Sequence, residues 1–328
     1  MKILIVLQHR FELWTAPPWF LERLQKEFPG VQVKQLTSYD GIEQQISDAD
    51  ILITWSLRPE QFRAAKKLRW IHSTAAAVHA LMSPEVMESD VVVTNARGVH
   101  GPVVAEHAIA LMFAIARKIP AAVRAQRQRV WAQEEMWREA PPPRELQGAT
   151  LGMIGLGSIG REVARRAEAL GMRVLAVREQ PEKGSAPGVA EVCGPQELGR
   201  VLGLSDYVVL AAPLTGETRS IIDGARLAQM KLTACLVNVS RGALVDEAAL
   251  IDALRQKKIA AAALDVFDSE PLPPESPLWD MKNVLITPHI GSVTEKLWER
   301  QYGLFSENLR RFRAGETLVG VVDKGRGY

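Results

Sequence analysis

The sequence predicts an α/β protein made of two doubly wound parallel-sheet domains. Three observations support this: the chain has 328 residues, its composition is globular with 47% hydrophobic and 24% charged residues, and short apolar runs alternate with amphipathic stretches. A chain of this length is too long for one ordinary core and suits two domains of about 100–200 residues each. Alternating strand and helix patterns are typical of an open parallel sheet with helices on both faces.

Five short apolar, β-branched runs in the N-terminal third predict the strands of the first domain, with helices such as Pro18–Glu27 between them. The runs are Ile3–Leu7, Val31–Leu36, Ile51–Trp55, Trp70–Ser73 and Val91–Asn95. A long apolar helix is expected from Val103 to about Arg117. A helical stretch rich in Arg and Gln continues toward Arg138, and the proline triplet Pro141–Pro143 ends it.

A second alternating series of six strand candidates predicts the other domain. These are Thr150–Gly155, Arg173–Val177, Tyr207–Ala212, Cys235–Ser240, Ala261–Val266 and Val284–Thr287. The last periodic segment, Thr294–Arg313, is predicted to be a helix that returns to the first domain. We therefore expect a discontinuous first domain of residues 1–99 and 292–328 and a second domain of residues 100–291.

Charge and cysteine content limit the functional classes. Forty basic and 38 acidic residues leave a net charge of +2, which gives no general reason to expect nucleic acid or an anionic membrane as partner. Cys193 and Cys235 are too few for a disulfide framework and lack metal-ligand spacing, so we expect reduced thiols, no metal site and a cytoplasmic protein. No apolar run approaches the roughly 18–20 residues of a membrane-spanning helix.

The polar segment Ala121–Glu139 carries two tryptophans, Trp131 and Trp137, among its charges. Two indoles on a polar segment are costly to leave in water, which favours an arm at residues 120–143 that packs against a second subunit. A solvated helix on the surface of the second domain is the alternative. The sequence thus predicts a homodimer.

A glycine-rich turn is the first candidate functional motif. Residues Gly155–Gly160 read GLGSIG and have the G-x-G-x-x-G form. Alone this pattern is weak, but it directly follows the apolar run Leu151–Ile154 and opens the helical pattern Ser158–Leu170. A strand, a glycine turn and a helix in that order are the context that dinucleotide binding requires. The second domain is therefore predicted to be a Rossmann-like, dinucleotide-binding domain.

Each glycine of this motif has an expected task. Gly155 would permit the tight turn, Gly157 the close approach of a pyrophosphate, and Gly160 the close packing of helix on strand. The pyrophosphate would lie at the helix N-terminus, beside Ser158 and Ile159, where free N–H groups and the helix dipole favour negative charge.

The end of the next strand bears on the choice between NADP and NAD. About twenty residues beyond the glycines, an acidic residue normally accepts hydrogen bonds from the ribose hydroxyls. This position holds Arg178, and a guanidinium suits a 2′-phosphate that a carboxylate would repel. NADP is therefore the preferred cofactor. NAD is the alternative, because a slip of one residue would give the ribose the carboxylate of Glu179.

Three titratable or charged residues follow the ends of three later strands: Arg241, Glu270 and His289. Each alone has an ordinary explanation as a surface charge, a turn residue or a hydrogen-bonded loop histidine. In an open parallel sheet, however, ligands bind at the carboxyl edge of the strands, the edge that also carries the glycine turn. One cleft could therefore collect all three side chains.

The reduction of a 2-keto acid by hydride needs these residue types. Negative charge develops on the carbonyl oxygen, so the site needs a fixed cation and a proton donor that works near neutral pH. Arg241 can polarise the carbonyl and grip the carboxylate, and His289 can supply the proton. Glu270 would orient His289 and favour its protonated form.

Several segments resemble, in order and spacing, the D-isomer-specific 2-hydroxyacid dehydrogenases over nearly the whole chain. They are Gly155–Gly160, Pro213–Thr215 with Thr218, Leu236–Gly242, Ala263–Phe267, Glu270–Leu272 and Thr287–Gly291. The resemblance implies an NAD(P)-dependent oxidoreductase acting on a 2-keto acid or a D-2-hydroxy acid. Its smaller, discontinuous domain would be a flavodoxin-like substrate domain.

The resemblance also implies roles for individual residues. Arg241, Glu270 and His289 would be the catalytic set, with Glu270 and His289 paired as the acid/base. Asp265 would contact the nicotinamide end of the cofactor. The remaining residues implied to line the cofactor cleft are Pro213, Thr218 and Val239. Arg178 moves the prediction toward the NADP-using branch that resembles glyoxylate and hydroxypyruvate reductases.

In the first domain, Ser73–Val78 resembles the loop whose backbone N–H groups receive the substrate carboxylate, with Ala76 and Ala77 as the substrate-binding residues. Ala77 stands where glycine is usual, and backbone donors survive that change if φ is negative. The departure leaves the size of the substrate open. Three histidines are expected to be structural or surface residues rather than catalytic ones: His79, His100 and His107.

Two other functions fit parts of the pattern. A dinucleotide-sensing corepressor or scaffold would keep the fold, but an intact Arg241, Glu270 and His289 set argues against it. An enzyme that oxidises formate would be expected to have glutamine at the position of Glu270, so the sequence argues against this function.

Overall fold

The computed structural model describes residues 1–9 and 11–325, which form two compact units. Unit 1 comprises Met1–Val99 together with the C-terminal part of the chain from Thr294, and unit 2 comprises His100–Val293. The first domain expected from the sequence, residues 1–99 and 292–328, includes residue 10 and residues 326–328, which lie outside the described residues.

Twelve strands and twelve α-helices are numbered here in chain order along the described residues. The strands are β1 (Lys2–Val6), β2 (Gln32–Leu36), β3 (Ile51–Thr54), β4 (Trp70–Ser73), β5 (Val92–Asn95), β6 (Thr150–Ile154), β7 (Arg173–Val177), β8 (Glu191–Cys193), β9 (Tyr207–Leu210), β10 (Cys235–Asn238), β11 (Ala261–Leu264) and β12 (Val284–Ile286). The helices are α1 (Pro18–Glu27), α2 (Ile42–Ile46), α3 (Pro59–Ala64), α4 (Pro84–Glu88), α5 (Gly101–Ala116), α6 (Ile119–Gln128), α7 (Gln133–Arg138), α8 (Ser158–Ala169), α9 (Leu198–Leu204), α10 (Gly224–Gln229), α11 (Glu247–Arg255) and α12 (Leu297–Ala314).

Unit 1 is a five-stranded parallel sheet in the order β2-β1-β3-β4-β5, the flavodoxin-like order. The strands bury both faces, since Ile3 and Ile5 of β1 point into one core and Leu4 and Val6 into the other. The C-terminal helix α12 packs on the first of these cores. This arrangement confirms the predicted fold class of the smaller domain.

Unit 2 is a seven-stranded parallel sheet in the order β12-β11-β10-β9-β6-β7-β8. Counted from β6, this is the Rossmann strand order extended by one strand, which confirms the predicted fold class. The sequence pattern predicted six of these strands and missed β8, because Glu191–Cys193 is only three residues long and begins with a charge.

The helical stretch after β5 differs from the continuous pattern in the sequence. Lys118 adopts a left-handed conformation with φ of 56°, so α5 ends at Ala116 and α6 begins at Ile119. A second left-handed residue, Arg129, ends α6 in the same way. Among the described residues, no helix has both the length and the apolar character that crossing a bilayer requires.

Every strand of unit 2 runs in the same direction, so the segments that follow β6, β10, β11 and β12 emerge at one edge of the sheet. These segments carry the glycine turn, Arg241, Asp265 and His289. The carboxyl edge of unit 2 is therefore the place where the candidate site is built.

Candidate active site

The glycine turn after β6 has a shape that only glycine permits. Gly155 has φ of +96°, and a Cβ added there would lie 2.6 Å from the backbone nitrogen of Ala212. A Cβ on Gly160 would lie 2.1 Å from the carbonyl oxygen of Gly155. The first turn of α8 therefore packs directly on the end of β6.

Gly157 differs from these two glycines because the space beside it is open. It is the N-cap of α8, and a Cβ added there would meet nothing within 4 Å. A glycine N-cap offers no side-chain acceptor, so the first N–H groups of α8, those of Ser158, Ile159 and Gly160, stay available to an outside anion. The open space beside Gly157 and these N–H groups together form a cradle that fits the pyrophosphate of a dinucleotide.

Arg178 is the first residue after β7. Its backbone N–H donates to the carbonyl of Cys193 at 3.0 Å, and its guanidinium donates to the carbonyl of Gly184 at 3.2 Å. The side chain is half-buried, whereas Glu179 is exposed. A fixed cation, not a carboxylate, therefore immediately follows β7.

The loop after β9 is closed by its own polar groups. Thr218 donates its hydroxyl to the carbonyl of Pro213 at 2.6 Å and accepts from the N–H of Thr215 at 2.7 Å. Val239, which follows β10, is buried. These contacts give the loop a defined shape, and they use the Thr218 hydroxyl within the loop itself.

Arg241 is fixed by the turn that ends β10. The side chain of Asn238 donates to the carbonyl of Arg241 at 2.8 Å, and the guanidinium donates to the carbonyl of Ser240 at 2.5 Å. Burial lowers the pKa of Arg241 while the charge of Glu270 raises it, and a guanidinium stays protonated under either influence. Within the described part of the chain no carboxylate lies close enough to form a salt bridge with Arg241. Its charge is therefore available to an anionic ligand.

Glu270 and His289 form a hydrogen-bonded pair with 2.6 Å between Oε2 and Nδ1. The other carboxylate oxygen accepts the N–H of Phe267 at 3.0 Å. Burial raises the pKa of Glu270, but the hydrogen bond and charge of His289, the Phe267 N–H and the charge of Arg241 bring that pKa below its ordinary value. With Nδ1 engaged by a carboxylate, Nε2 is the ring nitrogen left to exchange a proton with a ligand.

Asp265 holds the turn on which His289 sits. Its carboxylate accepts the hydroxyl of Thr287 at 2.6 Å and the N–H groups of Ile290 at 3.0 Å and Gly291 at 2.9 Å. Burial, at 2% exposure, raises the pKa of Asp265, but His107, Thr287 and these N–H groups lower it below the ordinary value. The aspartate is thus a buried carboxylate that fixes the backbone on both sides of His289.

His107 reaches this carboxylate from α5. Its Nε2 lies 3.0 Å from the hydroxyl oxygen of Thr287 and 3.3 Å from Oδ1 of Asp265. The sequence pattern offered only its place in an apolar helix, which is why His107 was expected to be structural or exposed. Its contact with the His289 turn is visible only in three dimensions.

In unit 1, the loop Ser73–Val78 follows β4 and is held by three hydrogen bonds. The N–H of Ala75 donates to Ser73 Oγ at 3.2 Å, Asn95 donates to the carbonyl of Ala76 at 2.8 Å, and Gln301 donates to the carbonyl of Thr74 at 2.7 Å. Ala77 is not among the described non-glycine residues with positive φ, so an alanine side chain causes no strain there.

One group of side chains in unit 2 has ligand atoms close enough to suit a metal. Glu191, Cys193 and Glu197 place these atoms within 4.8 Å of one another, the sole such grouping within residues 1–9 and 11–325. The guanidinium of Arg200 contacts Glu191 and lies 3.1 Å from Glu197 and 3.2 Å from Cys193 Sγ. The arginine already supplies the positive charge, so we assign no metal role to the group.

The chain is similar to known proteins over most of its length. Residues 109–291 match the family model described as D-isomer specific 2-hydroxyacid dehydrogenase, NAD binding domain. A glyoxylate reductase from Korarchaeum cryptofilum is 38% identical over 295 residues, which are 86% of this chain and 85% of the relative.

Two solved structures extend the likeness to the whole chain. A D-isomer specific 2-hydroxyacid dehydrogenase from Xanthobacter autotrophicus Py2, in complex with NADPH and MES, has a TM-score of 0.83 at 32% identity and is covered over 99% of both chains. An NADPH-dependent glyoxylate/hydroxypyruvate reductase from Sinorhizobium meliloti, in complex with NADP and sulfate, also has a TM-score of 0.83, at 28% identity over 100% of both chains.

The glycine turn leads to a prediction with a matched pair of variants. Gly157→Ala adds a methyl group to open space, so we expect an unchanged Tm and weakened dinucleotide binding, by at least about tenfold, because the methyl group keeps the pyrophosphate from the helix N-terminus. Gly160→Ala drives a Cβ into a carbonyl oxygen, and we expect it to lower the Tm itself. Thermal unfolding and fluorescence titration with NADPH and NADH measure both effects. Full dinucleotide affinity in Gly157→Ala would show that the turn is not the cradle.

Proposed function

This chain belongs to the D-isomer specific 2-hydroxyacid dehydrogenase family, and we propose that it reduces a small 2-keto acid with NADPH as the preferred reductant. Hydride transfer between NAD(P)H and a 2-keto acid or D-2-hydroxy acid is the activity of this enzyme class. The observation that carries the assignment is the 2.6 Å pair of Glu270 and His289 on the same sheet edge as the glycine turn and Arg241.

His289 serves as the proton donor in this proposal. Its Nδ1 is hydrogen-bonded to the Glu270 carboxylate, which orients the ring. Nε2 delivers the proton to the carbonyl oxygen as that oxygen gains charge. In the direction of oxidation, the neutral ring takes a proton from the substrate hydroxyl at the same atom.

Arg241 stabilises the developing negative charge. A guanidinium that is partly buried and without a salt bridge among the described residues interacts more strongly with an anion than a fully exposed one, because less water screens it. Its planar fork can hold the substrate carboxylate through two parallel hydrogen bonds. The backbone N–H groups of Ala76 and Ala77 in unit 1 are proposed as the other carboxylate donors, supported by the unstrained conformation at Ala77.

The glycine turn is proposed to hold the dinucleotide by its pyrophosphate, with Gly155, Gly157, Ser158, Ile159 and Gly160 as the contacting residues. The cofactor supplies the hydride. Other residues proposed to line its cleft are Pro213, Thr218, Val239 and Asp265. The Asp265 carboxylate already accepts three hydrogen bonds, so any contact with the nicotinamide end adds to a role that the aspartate has in the fold.

The decisive experiment is a turnover assay with glyoxylate, hydroxypyruvate and longer 2-keto acids, each with NADPH and with NADH. We expect reduction of at least one of them, and we expect His289→Ala to lower kcat by about 10²–10⁴-fold, the usual cost of losing a general acid. Dinucleotide affinity, from fluorescence titration, should stay close to wild type in that variant. Reduced cofactor affinity with normal turnover would contradict the role of His289. Tight dinucleotide binding without turnover of any 2-keto acid would favour a nucleotide-sensing protein instead.

The preference for NADPH is proposed to depend on Arg178. Removing a charged hydrogen-bond partner of a phosphate costs about 1.5–3 kcal/mol, so Arg178→Ala should raise the KM for NADPH by about 10–100-fold. The KM for NADH should change by less than about threefold. Glu179→Gln is the matched control and should leave the KM for NADPH unchanged. A wild-type preference for NADH, lost in Glu179→Gln, would reverse the assignment.

Residues 120–143 are proposed to be an arm that makes the protein a homodimer. In the single chain, Trp131 is 88% exposed and Trp137 is 66% exposed. Two apolar side chains of the same segment, Val123 and Val130, are exposed as well. Monomeric proteins seldom leave so much apolar surface in water. A cytoplasmic location is proposed with it, supported by the buried, free thiols of Cys193 and Cys235.

Sedimentation velocity tests the arm. We expect the wild type to sediment as two copies and the double variant Trp131→Asp with Trp137→Asp to sediment as one, because two carboxylates cannot be buried in an apolar interface without partners. Leu232→Asp replaces another exposed apolar side chain outside the arm and should remain a dimer. If the double variant still sediments as a dimer, the arm does not form the dimer interface.

A further inference from the structure

The turn that presents His289 has an unfavourable backbone conformation. His289 has φ of 53°, in the left-handed region that residues with a Cβ seldom occupy. The N–H of His289 donates to the backbone carbonyl of Asp265 at 2.8 Å, and the carboxylate of Asp265 accepts the next two N–H groups, of Ile290 and Gly291. A conformation of this kind persists only where surrounding contacts hold it. Asp265, at the end of β11, supplies these contacts through its backbone carbonyl and its carboxylate.

A second element, helix α5, reaches the same carboxylate through His107. Nε2 of His107 lies 3.0 Å from the hydroxyl oxygen of Thr287 and 3.3 Å from Oδ1 of Asp265, and the imidazole is 18% exposed. Thr287 gives its hydroxyl hydrogen to Asp265 at 2.6 Å. The Thr287 oxygen can therefore only accept, and Nε2 of His107 must carry the hydrogen in this contact.

We propose that His107 is a positioning residue for the reaction: through Thr287 and Asp265 it holds the turn that directs His289 at the substrate. The inference rests on the proposed role of His289. His107 does not itself have to touch the substrate or the cofactor. It ties the long helix α5 to the segment after β12, so that the strained turn is held from two elements. Without the His107 N–H group, Thr287 and Asp265 lose a hydrogen-bond donor. The His289 turn is then more mobile, and His289 is oriented toward the substrate for a smaller fraction of the time.

Three variants separate positioning from simple stability. His107→Leu keeps most of the volume but removes the N–H donor, and His107→Gln restores a donor at a similar reach. Met112→Ala is the matched control, because Met112 is a buried core residue of the same helix with no part in the network. Each variant is assayed as the full chain for kcat, for KM with the keto acid and the dinucleotide, and for Tm.

We expect His107→Leu to lower kcat by at least about tenfold while both KM values stay within about threefold, as for an interaction that matters in the transition state. His107→Gln should recover kcat to within about threefold of wild type. Met112→Ala should lower the Tm at least as far as His107→Leu and leave kcat within about twofold. Wild-type kcat in His107→Leu would overturn the proposal, as would an equal loss of kcat in Met112→Ala.

Hydrogen–deuterium exchange gives a readout that needs no turnover. The amides of Ile290 and Gly291 donate to Asp265, so His107→Leu should speed their exchange while His107→Gln and Met112→Ala should not. Should His107→Leu fail to fold, the shorter polar variant His107→Asn serves in its place. Unchanged exchange at both amides would overturn the inference. A wild type that reduces no 2-keto acid would instead overturn the proposed function and leave the exchange result to be judged alone.

Discussion

The buried carboxylate of Asp265 is the constraint on which the candidate site depends. A charge at 2% exposure is costly unless donors surround it, and this one accepts hydrogen bonds from Thr287, Ile290 and Gly291. Those donors belong to one short segment after β12. The need to satisfy a buried charge at the end of β11 therefore shapes the turn that carries His289, and it offsets the cost of a left-handed conformation there.

The rest of the site follows from strand direction and steric limits. Because all seven strands of unit 2 are parallel, the segments that follow β6, β10, β11 and β12 emerge together. They carry, in this order, the glycine turn, Arg241, Asp265 with Glu270, and His289. The glycine turn leaves space and free N–H groups for an anion, and the turn after β10 fixes a partly buried cation, Arg241. Two groups that favour negative charge, free backbone N–H groups and a guanidinium, are thus built at one edge of a single sheet.

Much of this arrangement could be predicted from the sequence. Apolar runs such as Arg173–Val177 and Trp70–Ser73 have the same limits as the observed strands, because buried parallel strands are apolar on both faces. Arg241, Glu270 and His289 are predicted from their positions after strands, and the structure brings Glu270 and His289 into hydrogen-bond contact. β8 escaped prediction because three residues carry too little pattern, and the break of the helix at Lys118 escaped because a left-handed lysine has no compositional signal.

The sequence by itself determined the fold class, the glycine turn and the types of side chain at the sheet edge, since burial periodicity and steric exclusion are local and are recorded in residue order. Only the tertiary structure decided which side chains meet. His107 lies 158 residues before Asp265 in the chain, yet its ring lies 3.3 Å from that carboxylate, because α5 packs against the sheet. The 2.6 Å distance between Glu270 and His289, and the left-handed backbone conformation at His289, likewise depend on contacts between segments that no local pattern encodes.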